Sequence, residues 1–251
     1  MTDKIKELQL IPANDIRVNS AIAPFKDEML KEHGFESREE VSKAMFMAMK
    51  KYGGIGLTCN QAGLPFRMFV MGNHLQLNNG EKYSCWNPII KTHSKEDILM
   101  SEGCLTFPYL FLSINRPRTC TVEFEDDDGK KVETTFDGMF SRIYQHEFDH
   151  TLGITFVEKV SKLKFDMAKK KAEDMREELK NLISFTRGPS AWEELLRTEA
   201  DIRKKRQQAI YDQEERQRKF FEIIMVIVAG VAMIGIVGFI IYLVGVGQGK
   251  W

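Results

Sequence analysis

The sequence predicts an α+β fold: antiparallel sheets packed around a central metal-binding helix, followed by a charged helical spacer and one C-terminal transmembrane helix. Three observations predict it. Short alternating apolar runs fill much of the first 165 residues, the string HEFDH at 146–150 sits inside an amphipathic helical pattern, and an uncharged apolar run extends from Ile223 to Val246. The organisation that follows is a metal-hydrolase-like domain over 1–165, a charged helical spacer over 166–219 and a membrane helix over 220–247.

Ser37 with Glu40 forms a capping box ahead of Val41, Ala44, Met45, Ala48 and Met49, which share one helical face, and the run closes at Lys50, Lys51 and Gly53. Strand-like pieces follow at 67–72 and 83–90. The alternating runs TCTVEFE and KVETTFD then flank the turn-rich DDDGK, as in a hairpin. DGMFSRIYQHEFDHTLG carries a candidate N-cap, Asp137, and a helix stop, Gly153, with Phe140, Ile143, Tyr144 and Leu152 spaced as an apolar stripe beside the histidines. From about 166 to 219 the residues are charged helix formers, with a break expected near Arg187, Gly188 and Pro189. The run from Ile223 is long enough to cross a bilayer, which takes about 20 apolar residues. Basic residues including Arg203, Lys204, Lys205, Arg206, Arg216, Arg218 and Lys219 precede it and only Lys250 follows. The expected location is therefore the cytoplasmic face of a membrane, as a single-pass, tail-anchored protein.

Zero formal net charge averages over this segregated chain and so says little about partners. The four cysteines form no CxxC pair, and the N-terminus lacks a signal peptide's apolar core, which together indicate a reducing compartment. Phosphate-loop, dinucleotide and nucleic-acid motifs are absent from the sequence.

His146 and His150 lie four residues apart on one helix face, where two imidazoles can bind one ion, and Glu147 beside them can handle protons. A catalytic site of this kind needs a third protein ligand and an open position. The remaining histidines, His33, His74 and His93, have no metal spacing, whereas EGCLTFP offers Cys104, whose thiolate is a strong ligand for a borderline-soft metal.

GIGLTCNQ at Gly54 to Gln61, EGCLT at Glu102 to Thr106 and QHEFDH at Gln145 to His150 together resemble the three motifs of peptide deformylases, in the family's order, within a similarity that covers about the first 165 residues. The resemblance implies a metal-dependent hydrolase that removes the formyl group from the N-terminal formylmethionine of nascent polypeptides and releases formate. It implies ferrous iron, with zinc or nickel able to occupy the same site, held by Cys104, His146 and His150. Glu147 would be general base and then acid, while Gln61 and the backbone N–H of Leu105 would stabilise the oxyanion. Gly54 and Gly56 would let an extended peptide approach the backbone. Ile55, Phe107, Ile143 and Tyr144 are candidates for a methionine pocket, with plain core packing as the other reading. An ion pair between Glu102 and Arg142 is expected, and Arg116 and Arg118 are candidates to meet the peptide.

The family pattern has two alanines where this chain has Thr58 and Cys59, a difference expected to alter packing beneath the glutamine loop and substrate fit. A membrane anchor is the larger departure. The implied partners are the formylmethionyl nascent peptide, the ribosome and a membrane, in a bacterial, organellar or viral-in-bacterium setting. Two other classes are a membrane-associated binding or scaffold protein on a deformylase fold, and a HExxH metallopeptidase. The latter expects a downstream His or Glu ligand, for which Glu158 and Glu173 stand without a supporting motif.

Overall fold

The computed structural model describes residues 6–72, 77, 80–202, 205, 208, 216 and 219. The elements run α1 (Glu28–Glu32), α2 (Arg38–Lys51), β1 (Gly56–Thr58), β2 (Met68–Gly72), β3 (Lys82–His93), β4 (Asp97–Cys104), β5 (Phe107–Pro117), β6 (Thr119–Glu125), β7 (Lys131–Asp137), α3 (Gly138–Thr151) and α4 (Lys162–Arg187). The strands form two antiparallel sheets. One has the order β1-β2-β3-β6-β7, leaving β1 at its edge, and β4 pairs with β5 in the other.

Helix α2 forms where its capping box predicts: the Ser37 hydroxyl accepts from the Glu40 N–H, and the Glu36 N–H donates to the Glu40 carboxylate. Its buried face, Val41, Ala44, Met45, Ala48 and Met49, joins Leu57, Phe66, Met68 and Trp86 in one core cluster. A second cluster lies between the five-stranded sheet and α3, where Phe69, Cys85, Val122, Phe124 and Phe136 meet Phe140, Ile143 and Tyr144. The α+β arrangement of antiparallel sheets around the HEFDH helix is therefore present. Asp137 occupies the N-cap position of α3 with extended backbone and makes no side-chain cap bond. Gly153 does end the helix turn, at φ +73°.

The partition into two sheets was not evident from the sequence. β4 and β5 pair from Asp97 with Pro117 to Gly103 with Phe111, and the register then shifts so that Cys104 faces Phe107. A register shift of this kind bends a strand and re-aims the next side chain, here the cysteine. Beneath this sheet Leu112, Ile114 and Phe156 form a third cluster, against which Phe165 and Ala168 of α4 pack.

The transmembrane helix expected over 220–247 requires correction. No helix among the described residues is long and apolar enough to cross a membrane. α4 has the length, 26 residues, but 13 of them are lysine, arginine, aspartate or glutamate, and moving those charges into hydrocarbon is prohibitive. Residues 220–247 themselves lie outside the described residues, as do Arg203, Lys204, Arg206 and Arg218. The single-pass, tail-anchored placement at a cytoplasmic membrane face, which rested on that helix, is withdrawn with it. α4 ends at Arg187, Gly188 takes φ +89°, and helix resumes at 189 and continues through 202. By clustering of backbone contacts the chain divides into Met1–Leu195 and Leu196–Trp251.

Gly153 exposes a constraint on the segment leading out of α3. A Cβ there would lie 2.6 Å from the Ser20 carbonyl carbon and 2.8 Å from the Ala21 nitrogen, both backbone atoms. Gly153→Ala is expected to destabilise the fold by more than about 1 kcal/mol, the usual cost of left-handed backbone in a non-glycine residue, because the clash adds to the strain. A urea unfolding curve with an unchanged midpoint would contradict this.

Candidate metal centre

Helix α3 presents His146 and His150 on one face, with ring centroids 5.0 Å apart, and the Phe156 ring lies 5.7 Å from that of His146. Cys104 arrives from the shifted end of β4, so that its sulfur and one nitrogen of each histidine all lie within 4.8 Å of one another. The Cys104 Sγ to His150 Nε2 separation is 3.3 Å. A tetrahedral ion with bonds of about 2.3 Å to sulfur and about 2.0 Å to nitrogen would set that edge at about 3.5 Å. The donor set and its spacing therefore fit a thiolate and imidazole-ligated divalent metal.

The histidines are prepared differently by their surroundings. Burial, together with the nearby His146 and Arg116, holds the His150 imidazole well below its ordinary pKa and so in the neutral form a metal ligand requires. Burial also works to lower His146. There, however, hydrogen bonds to Cys104 and Glu102 and the charges of Cys104 and Glu147 outweigh it and raise the value to about 10. The proton held there is one that a binding ion displaces. His146 Nδ1 is 3.0 Å from Glu102 Oε2, an orientation that turns its other nitrogen toward Cys104 and His150.

Glu102 is the centre of a buried ionic network. Its carboxylate accepts from Arg116 Nε (2.7 Å) and Nη2 (3.0 Å) and from Arg142 Nη1 (2.7 Å). Desolvation opposes its charge, yet the bonds to His146 and Arg116 and their positive charges bring its pKa down to about 2. The expected pair with Arg142 is thus found, and that guanidinium also donates to the Ile114 and Ile98 carbonyls. Arg116 is not in a peptide cleft. It is buried, bonded through Nη1 to Asp149 at 2.6 Å, and Lys159 reaches the other Asp149 oxygen at 3.1 Å. Arg118 is partly exposed and paired with Asp137 and Glu96.

The glutamine loop closes the other side. Gln61 Oε1 accepts from the Thr58 N–H at 2.8 Å, which turns Nε2 toward Thr106 Oγ1 (3.0 Å) and Cys104 Sγ (3.5 Å). Asn60 Nδ2 donates to the His150 carbonyl at 2.7 Å and ties this loop to the end of α3. Glu147 is buried, and its Oε2 accepts from the Thr58 hydroxyl at 2.6 Å. Burial raises its pKa above the ordinary carboxylate value, against the lowering influence of His146 and of the Thr58 hydrogen bond. A side chain at Gly56 would push the Glu147 carboxylate aside, because a Cβ there would lie 2.8 Å from Glu147 Cδ. Gly54 faces Leu105 in the same way, at 2.6 Å from Cδ1.

Eight of the residues singled out in the sequence therefore gather at one place: Gly56, Gln61, Cys104, His146, Glu147 and His150 around the donor atoms, and Leu105 against Gly54. Ile143 lies in the core cluster between sheet and α3, with the half-buried Ile55 packed on its edge and Tyr144 wholly buried in it. Phe107 packs beside Phe156. Glu158 accepts from the Thr155 N–H and hydroxyl in a capping turn, and Glu173 lies exposed on α4. His74 is outside the described residues. Sequence reasoning missed the roles of Thr58, Arg116 and Asp149. For Arg116 a signal was available, since it falls at the two-residue period of Leu112 and Ile114, on the inward face of β5.

Removing Glu102 as Glu102→Ala leaves Arg116 and Arg142 short of a buried carboxylate. The expected loss is about 3–5 kcal/mol of unfolding free energy, the scale for breaking a buried pair. Chemical denaturation checks it, and a loss below about 1 kcal/mol, the scale of an exposed pair, would contradict the network's role.

Comparison with known proteins points the same way. The chain is 37% identical over 146 residues, 55% of this chain and 82% of the relative, to the peptide deformylase of the Wolbachia endosymbiont of Brugia malayi. Its fold superposes on the crystal structure of a Legionella pneumophila peptide deformylase with a TM-score of 0.58 at 28% identity, covering 68% of this chain and 96% of that one. The class I type b peptide deformylase of Acinetobacter baumannii, solved with Met-Ala-Ser bound, superposes with a TM-score of 0.56 at 26% identity, covering 62% and 99%. The model of the polypeptide deformylase family matches residues 19–166, more than half of the sequence, and the chain belongs to that family.

Proposed function

We propose that residues 1–165 carry out deformylation, hydrolysing the N-formyl amide of formylmethionyl peptides to formate and a free amine, with Cys104, His146 and His150 holding the metal. The carrying observation is the convergence of those three donors within 4.8 Å beside a buried glutamate and a glutamine amide. When bound, the ion supplies Lewis acidity and lowers the pKa of water toward neutrality. The thiolate among the donors suits ferrous iron, zinc or nickel, and ferrous iron is the assignment the family resemblance favours.

Glu147 takes the proton of the attacking water and returns it to the departing amine nitrogen, a task for which a buried carboxylate of raised pKa is suited. Gln61 Nε2 already points to the cysteine side of the pocket because its oxygen is engaged by the Thr58 N–H. With the Leu105 N–H, it donates to the developing oxyanion, and no reorganisation is needed at that moment. The peptide lies along β1, whose outer edge is unpaired within the sheet, with Gly54 just ahead of the strand and Gly56 at its start. Methionine is the residue expected at the formylated end, in line with the Met-Ala-Ser complex of the Acinetobacter relative. In this reading Ile55, half-buried against the core cluster that contains Ile143, flanks it.

The full chain, prepared without oxygen and loaded with ferrous iron, is expected to release formate from a formyl-Met peptide. Glu147→Ala is expected to lower kcat by about 10²- to 10⁴-fold, and Gln61→Ala by about 10²- to 10³-fold. Release unaltered by Glu147→Ala, or no release from the loaded chain, would sink the assignment. Chelation should abolish turnover and metal return restore it. Activity that survived complete metal removal would exclude the proposed site.

A further inference from the structure

We infer that Thr58 is a positioning residue for the general base: its hydroxyl ties down Oε2 of Glu147, so that Oε1 is the oxygen that takes and returns the proton. The inference rests on the deformylase reading and concerns how its proton carrier is held. Thr58 is wholly buried, and its hydroxyl lies 2.6 Å from Glu147 Oε2, the short distance of a charge-assisted bond. Thr58 Oγ1 is also 3.1 Å from the Glu147 carbonyl oxygen, the longer of the two contacts open to its single proton.

The backbone makes the arrangement specific. Thr58 and Gly56 are two residues apart in β1 and therefore project from the same face of the strand. Pairing with Phe69 and Met71 of β2 fixes both positions. On that face Gly56 leaves room for the glutamate and Thr58 supplies a donor. Oε1 is the Glu147 atom nearest to where a Gly56 side chain would be. Among the described residues Oε1 accepts no hydrogen bond, whereas Oε2 does. A carboxylate held at one oxygen and sterically bounded by strand backbone has few rotamers left, so the second oxygen is presented in one place. Proton transfer is sensitive to such placement, because only donors and acceptors already at hydrogen-bond distance contribute.

The test uses the full chain loaded with ferrous iron and a formyl-Met peptide. Thr58→Val keeps the shape and removes the hydroxyl. It is expected to lower kcat by about 10- to 100-fold, the scale of losing a hydrogen bond to a charged group. KM and the bound metal per chain should stay within about twofold, while Thr58→Ser, which restores the hydroxyl, should recover most of the rate. In a Glu147→Asp background, whose shorter side chain withdraws the carboxylate from Thr58, the added Thr58→Val change should cost less than about twofold. Should Thr58→Val fail to fold, Thr58→Ala is judged by the same criteria. Unchanged kcat in the hydroxyl-free variant, a loss appearing in KM or metal content, or an equal loss in the Glu147→Asp background would each overturn the inference. Failure of the unaltered chain to release formate would overturn the deformylase reading itself and this inference with it.

Discussion

The site depends on a buried negative charge. Glu102, near the end of β4, faces Arg116 from β5 and Arg142 and His146 from α3. That one carboxylate therefore joins the strand carrying Cys104 to the helix carrying both histidines. Its desolvation is unfavourable by itself, and only the two guanidiniums and the imidazole offset it. The geometry that results is narrow: the thiol and imidazoles converge because a charge between their parent elements must be fully paired. Asp149 extends the arrangement one helical turn on, through Arg116 and Lys159.

On the opposite side of the ligand cluster, short-range backbone approaches take over from charge. Gly54 and Gly56 let the edge of the five-stranded sheet come against Leu105 and Glu147. Asn60 and Gln61, in the 3₁₀ turn that follows β1, reach the α3 carbonyl of His150 and the thiol of Cys104. The pocket is thus assembled from both sheets and one helix. A glycine-to-alanine change at Gly56 and a charge removal at Glu102 would damage it by different means: the first displaces the Glu147 carboxylate, and the second loosens the cluster of Cys104, His146 and His150.

Thr58 shows how a local departure from the family's pattern acquires meaning from tertiary structure. As a string, the Thr58–Cys59 pair suggested altered packing under the glutamine loop. In the folded chain Cys59 is indeed a buried apolar side chain, 3.6 Å from the Met68 sulfur, but the Thr58 hydroxyl bonds to Glu147. A similar lesson applies to Arg116. Read as a basic residue after the cysteine motif, it suggested peptide contact, yet strand alternation turns it inward to Glu102 and Asp149.

Helices α2 and α3 and the strands β2, β3, β6 and β7 were legible in the sequence because they rest on local rules: the Ser37 and Glu40 cap, the 3.6-residue spacing in α2 and α3, and the alternation in β6 and β7. The grouping of His146 and His150 on one face was legible too, since a four-residue spacing on a helix has one geometric outcome. An apolar run counted by length alone led further than the described structure goes, and the long helix that is described, α4, is half charged residues. Only the tertiary structure decided which carboxylate pairs with which guanidinium, how the register shift at Gly103 and Cys104 aims the thiol, and what Thr58 touches. The ion pairs and the Thr58 contact join residues 14 to 89 positions apart. No local periodicity encodes such pairings, because each is chosen by packing and by the requirement that buried charges find partners.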